Sequence, residues 1–318
     1  MHFKSLKVFC DVVGRRSFSR AASENGLSQS GASQIVHHLE RHLGVKLIDR
    51  SKRPFVLTPE GQIYYEGCRK LVQQFFALED EVRSIHDEVA GRVNVASIYS
   101  VGLSHMSLLV RDFLRQQPKA NVNLQYQHPD RVYELVGADR VDLGLVSYPR
   151  ESRSIQVTKW RQEPMVFVCS PEHPLAPRDS VGLHELDGLA MVGFDEHLRI
   201  RNEIDKTLAE HSVRSNVVME FDNIETLKRA IEINAGVSLL PAPTVSRELA
   251  AGTLSTAHLD VSITRPLGII RRRGADLGKT TRCFLQLLRQ QPVAVGAEHE
   301  EMVEHCCGND QRVQVANE

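Results

Sequence analysis

The sequence predicts an α/β protein that begins with a winged helix-turn-helix and continues through one long helix. Three observations support this fold class. Residues 17–57 carry capping and turn signals for two helices, followed by two short β-prone runs. One helical pattern then covers residues 59–89, and from residue 91 strand-like and helical segments alternate. We therefore expect a helical N-terminal part and a larger α/β part.

The first helix pair is predicted from its caps and its turn. Ser17 is suited to cap a short helix from Phe18 to about Asn25, and Gly26 is suited to a left-handed turn. Ser28 is suited to cap a second, longer helix, in which apolar residues recur at three- and four-residue spacing. The buried stripe predicted for this helix consists of Ala32, Ile35, Val36, Leu39 and Leu43.

The face opposite that stripe is polar and carries no acid. Its side chains can donate and accept hydrogen bonds, as a helix in a DNA major groove requires. The residues of this helix that we expect to contact DNA are Gln29, Ser30, Ser33, Gln34 and His37. Periodicity alone fits a second interpretation equally well, namely a three-helix core whose polar face is solvated.

The segment after Gly44 favours the DNA interpretation. It reads VKLIDRSKRPFVLT, two β-prone runs around a basic tip that resembles the wing of a winged helix. The tip residues predicted to meet the DNA backbone are Arg50, Lys52 and Arg53. Residues 1–60 hold ten Lys and Arg against five Asp and Glu, a balance of +5 in a chain of net charge −1. Positive charge is therefore concentrated where a phosphate backbone would lie.

A long helix is predicted to follow. Thr58, Pro59 and Glu60 form a strong helix start, because they supply a cap, a proline at the first position and an acid near the positive end of the helix dipole. A narrow apolar stripe continues for nearly thirty residues, which is typical of a coiled-coil dimer arm. The stripe consists of Ile63, Gly67, Leu71, Phe75, Leu78, Val82, Ile85 and Val89. The alternative is a helix folded onto its own domain.

The remainder alternates between strands and helices and predicts a parallel sheet in two βα subdomains. The predicted strands are 92–97, 122–126, 141–147, 165–170, 217–221, 237–241 and 267–272, and the predicted helices are 100–117, 130–138, 200–210, 224–234 and 277–290. Residues 293–318 contain six acids and one base with little apolar periodicity, which predicts an acidic, flexible tail. The role of the Cys306-Cys307 pair in this tail stays open.

Composition excludes several classes of protein. No apolar run is long enough to span a membrane, and residues 1–9 are too polar for a signal peptide, so we expect a cytoplasmic protein. The six cysteines include no CxxC pair. The cluster of His37, His38 and His42 is more simply a DNA-facing or solvated set than a metal site, because His37 and His38 are adjacent and point in different directions. The sequence contains no GxSxG, HExxH, glycine-rich phosphate loop or DxD pair. We expect no catalytic site, metal or cofactor.

Three separated groups of residues resemble the LysR-type transcriptional regulators over about residues 3–290. The N-terminal group comprises Phe9, Ser17-Phe18-Ser19, Ala21-Ala22, Ser28-Gln29-Ser30, Ser33, Ile35, Leu39-Glu40, Leu43-Gly44-Val45, Leu47, Arg50 and Leu57-Thr58-Pro59-Glu60-Gly61. The other two comprise Arg140-Val141-Asp142-Leu143-Gly144-Leu145 with Glu172-His173-Pro174-Leu175-Ala176, and Ala235-Gly236-Val237-Ser238-Leu239-Leu240-Pro241. Their order along the chain is that of the family.

The resemblance implies a division of the chain. Residues 1–58 would form the winged helix-turn-helix, 59–90 a dimerisation helix, 91–292 an effector-binding domain and 293–318 the tail. The effector-binding domain would have two lobes, like periplasmic solute-binding proteins, with lobe I at 91–163 and 266–292 and lobe II at 164–265. The chain would cross between lobes near Gln162–Pro164 and return near Thr264–Pro266, and a small ligand would bind between the lobes.

Candidate effector contacts follow from this division. Ser97, Tyr99 and Ser100 lie in the first strand-to-helix loop, where hydroxyls and backbone N–H groups suit a carboxylate or a phosphate. Ser100 matches a position where the family often has an effector-contacting Thr or Ser, although a simple helix cap is the alternative. The other candidates are Ser147, Tyr148, Arg199, Arg201 and Asn223. Arginines at such positions are also commonly exposed to solvent without a ligand.

Two functions remain at this point. The first is a ligand-responsive, sequence-specific DNA-binding transcriptional regulator, which binds a partly palindromic promoter site as a dimer or homotetramer and responds to a small, anionic effector. RNA polymerase is a further candidate partner, whereas a membrane is not. The second is an α/β solute-binding or enzymatic protein with an N-terminal helical cap. That function leaves the basic wing unexplained and lacks both a signal peptide and a catalytic motif.

Overall fold

A computed structural model describes residues 2–84 and 89–290, and the predicted tail at 293–318 lies outside the described residues. The chain divides between Ala90 and Gly91 into two compact units. Within the described ranges, no helix combines the length and the apolarity needed to cross a membrane.

The N-terminal unit contains four helices and a short hairpin. The helices are α1 (Phe3–Arg15), α2 (Phe18–Glu24), α3 (Gln29–Leu43) and α4 (Pro59–Ser84), and the strands are β1 (Ile48–Asp49) and β2 (Val56–Leu57). The predicted local signals are confirmed. Ser17 Oγ accepts from the Arg20 N–H at 3.3 Å, Ser28 Oγ accepts from the Gly31 N–H at 3.1 Å, and Gly26 has a φ of +63°. These contacts satisfy N–H groups that the first turn of each helix leaves without a partner.

The predicted stripe of α3 is only partly buried. Ala32, Val36 and Leu39 lie in the core with Phe9 of α1, as predicted. Ile35 is half-buried, and Leu43 is 38% exposed. The prediction for Leu43 was therefore wrong, because α3 ends at this residue and Gly44 turns the chain away in a left-handed conformation.

The first turns of α4 belong to the core of the same unit. Cys68 is buried, and Tyr64 and Tyr65 pack near the Phe9 ring with centroid separations of 5.5 and 6.4 Å. Gly61 lies so close to the base of the hairpin that a Cβ there would fall 1.9 Å from the Leu47 carbonyl oxygen. The predicted division between 1–58 and 59–90 therefore falls inside one packed unit.

A second face of α4 is apolar and exposed. Its residues are between 39% and 76% exposed and consist of Ile63, Leu71, Phe75, Phe76, Leu78 and Val82. Phe75 also contacts Phe3 of α1, with ring centroids 3.9 Å apart. Ile85 lies outside the described residues. Both interpretations of the helix therefore apply to part of it. Phe75 and Phe76 pack near Phe3 of the same unit, whereas Leu71, Leu78 and Val82 are each more than half exposed.

The C-terminal unit begins with parallel strands, as predicted. The strands are β3 (Arg92–Ser97), β4 (Asn121–Tyr126) and β5 (Leu143–Ser147), and β3 lies between the other two. The predicted helix at 100–117 consists of α5 (Tyr99–Val101), a π-helical turn (Gly102–Met106) and α6 (Ser107–Gln116). Helix α7 (Pro129–Gly137) matches the segment predicted at 130–138.

A long strand, β6 (Ile155–Cys169), follows, and only its last third was predicted. The second lobe contains β7 (Ser180–Val181), β8 (Ala190–Phe194), β9 (Asn216–Phe221), β10 (Ser238–Pro241) and β11 (Ser255–Leu259), with α8 (Arg199–Glu210), α9 (Ile224–Glu232), α10 (Ser246–Ala251) and two 3₁₀ turns (Leu183–Leu186 and Ala242–Thr244). Strand β12 (Thr264–Arg272) and helix α11 (Lys279–Gln290) complete the unit. Strands β7, β8 and β11 were not predicted.

The sheet is mixed, which corrects the prediction of a parallel sheet. Its order in the first lobe is β4-β3-β5-β12-β6, and β12 runs antiparallel to both β5 and β6. The far half of β6 pairs antiparallel with β10 and β11 in the second lobe. Strand β12 re-enters the first lobe from the second, so it runs in the direction opposite to β6, which left the first lobe. The alternation of strands and helices along the sequence could not reveal this antiparallel pairing.

The two strands cross between lobes side by side. Residues Gln162–Pro164 of β6 pair with Thr264–Pro266 of β12, and Arg265 lies opposite Glu163. Arg265 is 1% exposed and Glu163 3% exposed. The Arg265 Nε donates to Glu163 Oε2 at 2.9 Å, its Nη2 donates to the same oxygen, and His105 Nε2 donates to Glu163 Oε1 at 2.5 Å. The opposite charges of Arg265 and Glu163 are therefore paired in the protein interior, out of contact with water.

This pairing shifts the protonation of the carboxylate. Burial raises the pKa of the Glu163 carboxyl, but Arg265 and His105 lower it by more, so that its pKa lies below the usual 4.5. A carboxyl whose pKa is lower in the folded state stabilises the fold above its unfolded pKa. That stabilisation is lost as the pH falls through the lowered value.

We predict that Glu163→Gln lowers the free energy of unfolding at neutral pH by about 3–5 kcal/mol, because it leaves Arg265 buried without a counter-charge. The difference from the wild type should begin to narrow near pH 4.5, where the carboxyl of the unfolded chain becomes protonated, and should close as the pH falls through the lowered pKa of the folded carboxyl. Urea unfolding at a series of pH values measures this. Glu134→Gln, at an exposed site, is the control. If the difference in the free energy of unfolding between Glu163→Gln and the wild type stays constant with pH, the prediction is wrong.

Candidate functional site

A cavity of about 370 Å³ lies between the two lobes of the C-terminal unit. The first lobe contributes the loops after β3, β4 and β5, and the second contributes the loops after β8 and β9. Ligand sites in α/β sheets commonly lie at the carboxyl ends of strands, and this volume suits a small metabolite. The cavity is the candidate effector site.

Four helices begin at the wall of this cavity. Their first residues are Tyr99 of α5, Pro129 of α7, Arg199 of α8 and Ile224 of α9, and all four line the cavity. The first N–H groups of a helix have no partner within the helix, and the helix dipole is positive at this end. Pro129 has no N–H to donate, and the Glu225 N–H of α9 is already bonded to Asn223, so α5 and α8 offer the larger share of unpaired N–H groups. The four helix dipoles together still favour negative charge in the cavity.

Ser100 is held at the cavity by a buried hydrogen bond. Its Oγ accepts from Arg265 Nη1 at 2.8 Å. The residue that caps α5 is Ile98, and no side chain bonds there, so the interpretation of Ser100 as a helix cap was wrong. Accepting from Arg265 occupies one of the two lone pairs of Ser100 Oγ and leaves the hydroxyl hydrogen available. Because Ser100 lines the cavity, its hydroxyl can donate to a ligand there.

Tyr148 and Arg199 meet across the cavity. Arg199 Nη1, from the second lobe, donates to the Tyr148 carbonyl oxygen of the first lobe at 2.8 Å. Tyr148 has a φ of +47°, and its N–H donates to the Pro266 carbonyl oxygen at 2.8 Å. Burial raises the pKa of the Tyr148 hydroxyl to about 12, so it remains a neutral donor. Ser147, which precedes it, also lines the cavity.

Three candidate effector residues, Ser97, Arg201 and Asn223, lie outside the cavity lining. The Ser97 side chain is fully buried and donates to the Ile98 carbonyl oxygen at 3.1 Å. Arg201 is engaged by Phe194 O at 2.8 Å and by carboxylates of Asp205 and Glu220 at 2.7 Å. Asn223 caps α9 by accepting from the Glu225 N–H at 2.9 Å. Each is one or two positions from a lining residue and points elsewhere.

The sequence analysis missed several lining residues. Arg265 is the most consequential, and the others with polar or aromatic side chains include His128, Tyr133, Phe194 and His197. A signal for Arg265 was present in the sequence. The predicted crossing segments carry one acid, Glu163, and one base, Arg265, and opposite charges in two adjacent crossing strands indicate a pair.

The N-terminal unit presents the second candidate surface. On α3, Gln29, Ser30, Gln34 and His37 are exposed, and Ser33 is half-buried. Arg50, Lys52 and Arg53 are exposed around the hairpin, and the Arg50 guanidinium lies 5.3 Å from the centre of the Phe18 ring. The helix also bears one acid, Glu40, which is 4% exposed and belongs to the core. All the predicted DNA-contacting residues thus lie on α3 or the hairpin.

No group of three or more His, Cys, Asp or Glu side chains among the described residues has an arrangement that could hold a metal ion. The described cysteines, Cys10, Cys68, Cys169 and Cys283, are free thiols.

Comparisons with known proteins agree with both surfaces. The family model described as "Bacterial regulatory helix-turn-helix protein, lysR family" matches residues 3–62, and "LysR substrate binding domain" matches residues 86–292. The uncharacterized HTH-type transcriptional regulator YfeR of Shigella flexneri is 29% identical over 298 residues, covering 93% of this chain and 96% of that protein.

Two solved structures share the fold. Full-length CbnR complexed with its target DNA has a TM-score of 0.65 at 20% identity, and the match covers 91% of this chain and 99% of that one. The Synechocystis CcmR regulatory domain in complex with 2-PG has a TM-score of 0.57 at 24% identity, covering 63% of this chain and 96% of that one.

The alternative of a solute-binding or enzymatic protein with a helical cap is therefore not supported, since the related proteins are regulators. With a family helix-turn-helix at one end and a two-lobed substrate-binding domain behind it, the chain belongs to the LysR family of transcriptional regulators.

Proposed function

We propose that this regulator binds a partly palindromic DNA site through α3 and the hairpin, and that a small anion in the interlobe cavity controls this binding. The observation that carries the proposal is the convergence of four helix N-termini on a cavity whose Ser100 hydroxyl is oriented by Arg265. The assignment of individual residues to DNA and effector is part of the proposal.

The charged side chains of the cavity lining balance in number, since Asp130, Glu151 and Asp222 accompany Arg150, Arg199 and Arg265. Because Glu163 already balances Arg265, the attraction for an anion comes mainly from the helix N-termini, from Arg199 and from the Ser100 hydroxyl. Phe194 and Ile98 supply apolar wall. The CcmR regulatory domain, which shares the fold, was solved in complex with 2-PG. We propose a small anionic effector here.

The effector would act through the lobes. Ser100 belongs to the first lobe and Arg199 to the second, and Arg199 already bridges to Tyr148. A ligand that engages both would stabilise the closed arrangement by its difference in affinity for closed and open states, typically about 1–3 kcal/mol. The Arg265 guanidinium bonds both to Ser100, the proposed ligand contact, and to Glu163 in the crossing strand β6. A ligand bound at Ser100 would therefore act on the same side chain that pairs the crossing strands.

The arrangement of the N-terminal unit supports separate roles for its two DNA-contacting elements. Gln29, Ser30, Ser33, Gln34 and His37 on α3 would contact bases in the major groove. The cations Arg50, Lys52 and Arg53 of the hairpin would contact phosphates or the minor groove. CbnR, which shares the fold, was solved in complex with its target DNA.

The exposed face of α4 supports self-association. Leu71, Leu78 and Val82 are each more than half exposed on a helix of 26 residues, and a second copy of the same face would cover them. A dimer joined there would present two winged helices to a partly palindromic site. We propose further association through residues 91–292 into a homotetramer, RNA polymerase as an additional partner, and a cytoplasmic location where the DNA lies.

For DNA contact, we expect Gln34→Ala to relax the preference at particular bases, costing about 1–3 kcal/mol on the preferred duplex. Arg53→Ala should weaken binding to every sequence and reduce the slope of affinity against salt by about one, because one phosphate contact is lost. Fluorescence anisotropy with duplexes from the gene's upstream region measures both. Arg115→Ala, an equal charge change in the other unit, is the control, and wild-type behaviour of both variants would disprove the assignment.

For assembly, we expect the double variant Leu78→Asp with Val82→Asp to reduce the mass of the particle in solution by at least half, because two carboxylates would be buried in an apolar seam. Light scattering after size exclusion of the full chain measures this. Gln62→Asp adds a carboxylate on another side of the same helix and should leave the mass unchanged. The proposal is wrong if the wild type is a monomer at all concentrations.

For the effector, we expect small carboxylates or phosphorylated acids, with 2-PG tested first, to raise the unfolding temperature, whereas a neutral sugar does not. At a concentration of 100 Kd the ligand adds about 2.7 kcal/mol of stability. Ser100→Ala should abolish the increase and Ser100→Thr should keep it. Ser97→Ala makes the same change outside the cavity lining and should respond like the wild type. A neutral ligand that stabilises the protein while acids do not would overturn the proposed class.

A further inference from the structure

Glu40 is the buried acid of α3, the helix assigned to the major groove. Its Oε1 accepts from the Leu47 N–H at 3.0 Å and from the Ile48 N–H at 3.3 Å. These are the first backbone groups of the hairpin, so one carboxylate oxygen ties the hairpin to the helix. Charge-assisted bonds of this kind are stronger than neutral ones and fix geometry.

The other oxygen, Oε2, is buried and has no hydrogen-bond partner among the described residues. Three basic side chains surround it without forming a hydrogen bond. His37 Nδ1 lies 3.5 Å away, Arg50 Nη2 3.6 Å and Lys46 Nζ 3.9 Å. A buried carboxylate is costly unless opposite charge lies nearby, and Arg50 and Lys46 supply that charge.

The same three side chains reach the solvent on their other side. Their side chains are 50%, 35% and 69% exposed for His37, Arg50 and Lys46 respectively. His37 and Arg50 belong to the proposed DNA surface, and Lys46 lies at the start of the hairpin beside them. A DNA phosphate that approached this surface would therefore bind side chains that already interact with one anion, the Glu40 carboxylate.

We propose that Glu40 is a positioning residue that acts as an internal counter-anion of the DNA-binding surface. It holds Arg50, Lys46 and His37 next to one another before DNA arrives, and its negative charge weakens the attraction of this surface for phosphates of any sequence. Apart from His37, the α3 side chains assigned to bases are neutral and are not among the groups around Glu40 Oε2, so that charge affects their contacts less. Glu40 thus raises the discrimination between a preferred site and other DNA, and this role rests on the proposed DNA contact.

The test is Glu40→Gln, whose remaining amide oxygen can still accept from the Leu47 and Ile48 N–H groups. The affinity for a 30-base-pair duplex of random sequence, measured by fluorescence anisotropy at low salt, should rise about threefold to tenfold. The slope of log affinity against log salt should steepen by up to about 0.9. The ratio of affinities for an upstream duplex and the random duplex should fall.

Glu24→Gln is the matched control, because it neutralises an exposed carboxylate of the same unit that pairs with Arg15 at 2.8 Å. It should change neither the affinity for random DNA nor the salt slope. If folded Glu40→Gln binds random DNA no more tightly than the wild type, or if Glu24→Gln has an equal effect, Glu40 only supports the hairpin. Absence of DNA binding by the wild type would instead contradict the proposed function.

A second pair of variants answers the question if Glu40→Gln does not fold. Lys46→Gln and Lys52→Gln remove equal charges from exposed sites, but only Lys46 faces Glu40. Because Glu40 already balances part of its charge, Lys46→Gln should reduce the affinity for random DNA by a smaller factor than Lys52→Gln. An equal or larger loss for Lys46→Gln overturns the proposal.

Discussion

The buried ion pair between Arg265 and Glu163 organises the C-terminal unit at the point where its two lobes are joined. Both residues lie in strands that continue from one lobe into the other, and they are directly opposite in the register of β6 and β12. Two charges removed from water require mutual contact and hydrogen bonds, and His105 and Ser100 complete that set. Arg265 consequently positions the Ser100 hydroxyl at the cavity and also pairs the two strands that cross between the lobes.

The elements that the sequence predicted best are those whose signals are local. Ser17, Gly26 and Ser28 define the turn of the helix-turn-helix within a dozen residues, because a cap or a left-handed turn involves only the nearest N–H groups. The first two thirds of β6, residues 155–164, were missed for the opposite reason. Polar residues such as Gln156, Lys159 and Gln162 interrupt its pattern, and its strand conformation comes from pairing with β12 more than a hundred residues away.

The candidate effector site shows the same limit at finer scale. The rule that loops after strands line the cleft located Tyr99, Ser100, Ser147, Tyr148 and Arg199. It could not choose between adjacent positions, so Arg201 was included although its guanidinium is bound within its own lobe. Arg265 was missed because it follows no strand end, and its partners Ser100 and Glu163 are 165 and 102 residues away along the chain.

Helix α4 both packs in the core of the N-terminal unit and exposes apolar side chains, and this limits where the chain can be cut into separately folding pieces. Its first turns complete the core around Phe9, and Gly61 brings it against the carbonyl of Leu47. A fragment that stopped at residue 58 would expose that core, so the smallest self-sufficient DNA-binding piece would have to carry much of the helix with it. Fusing this N-terminal unit to another effector-binding domain would also transfer the exposed apolar residues of α4, and with them any tendency of the helix to dimerise. Modular exchange among such regulators would be cleanest after residue 90, where the chain passes between its compact units.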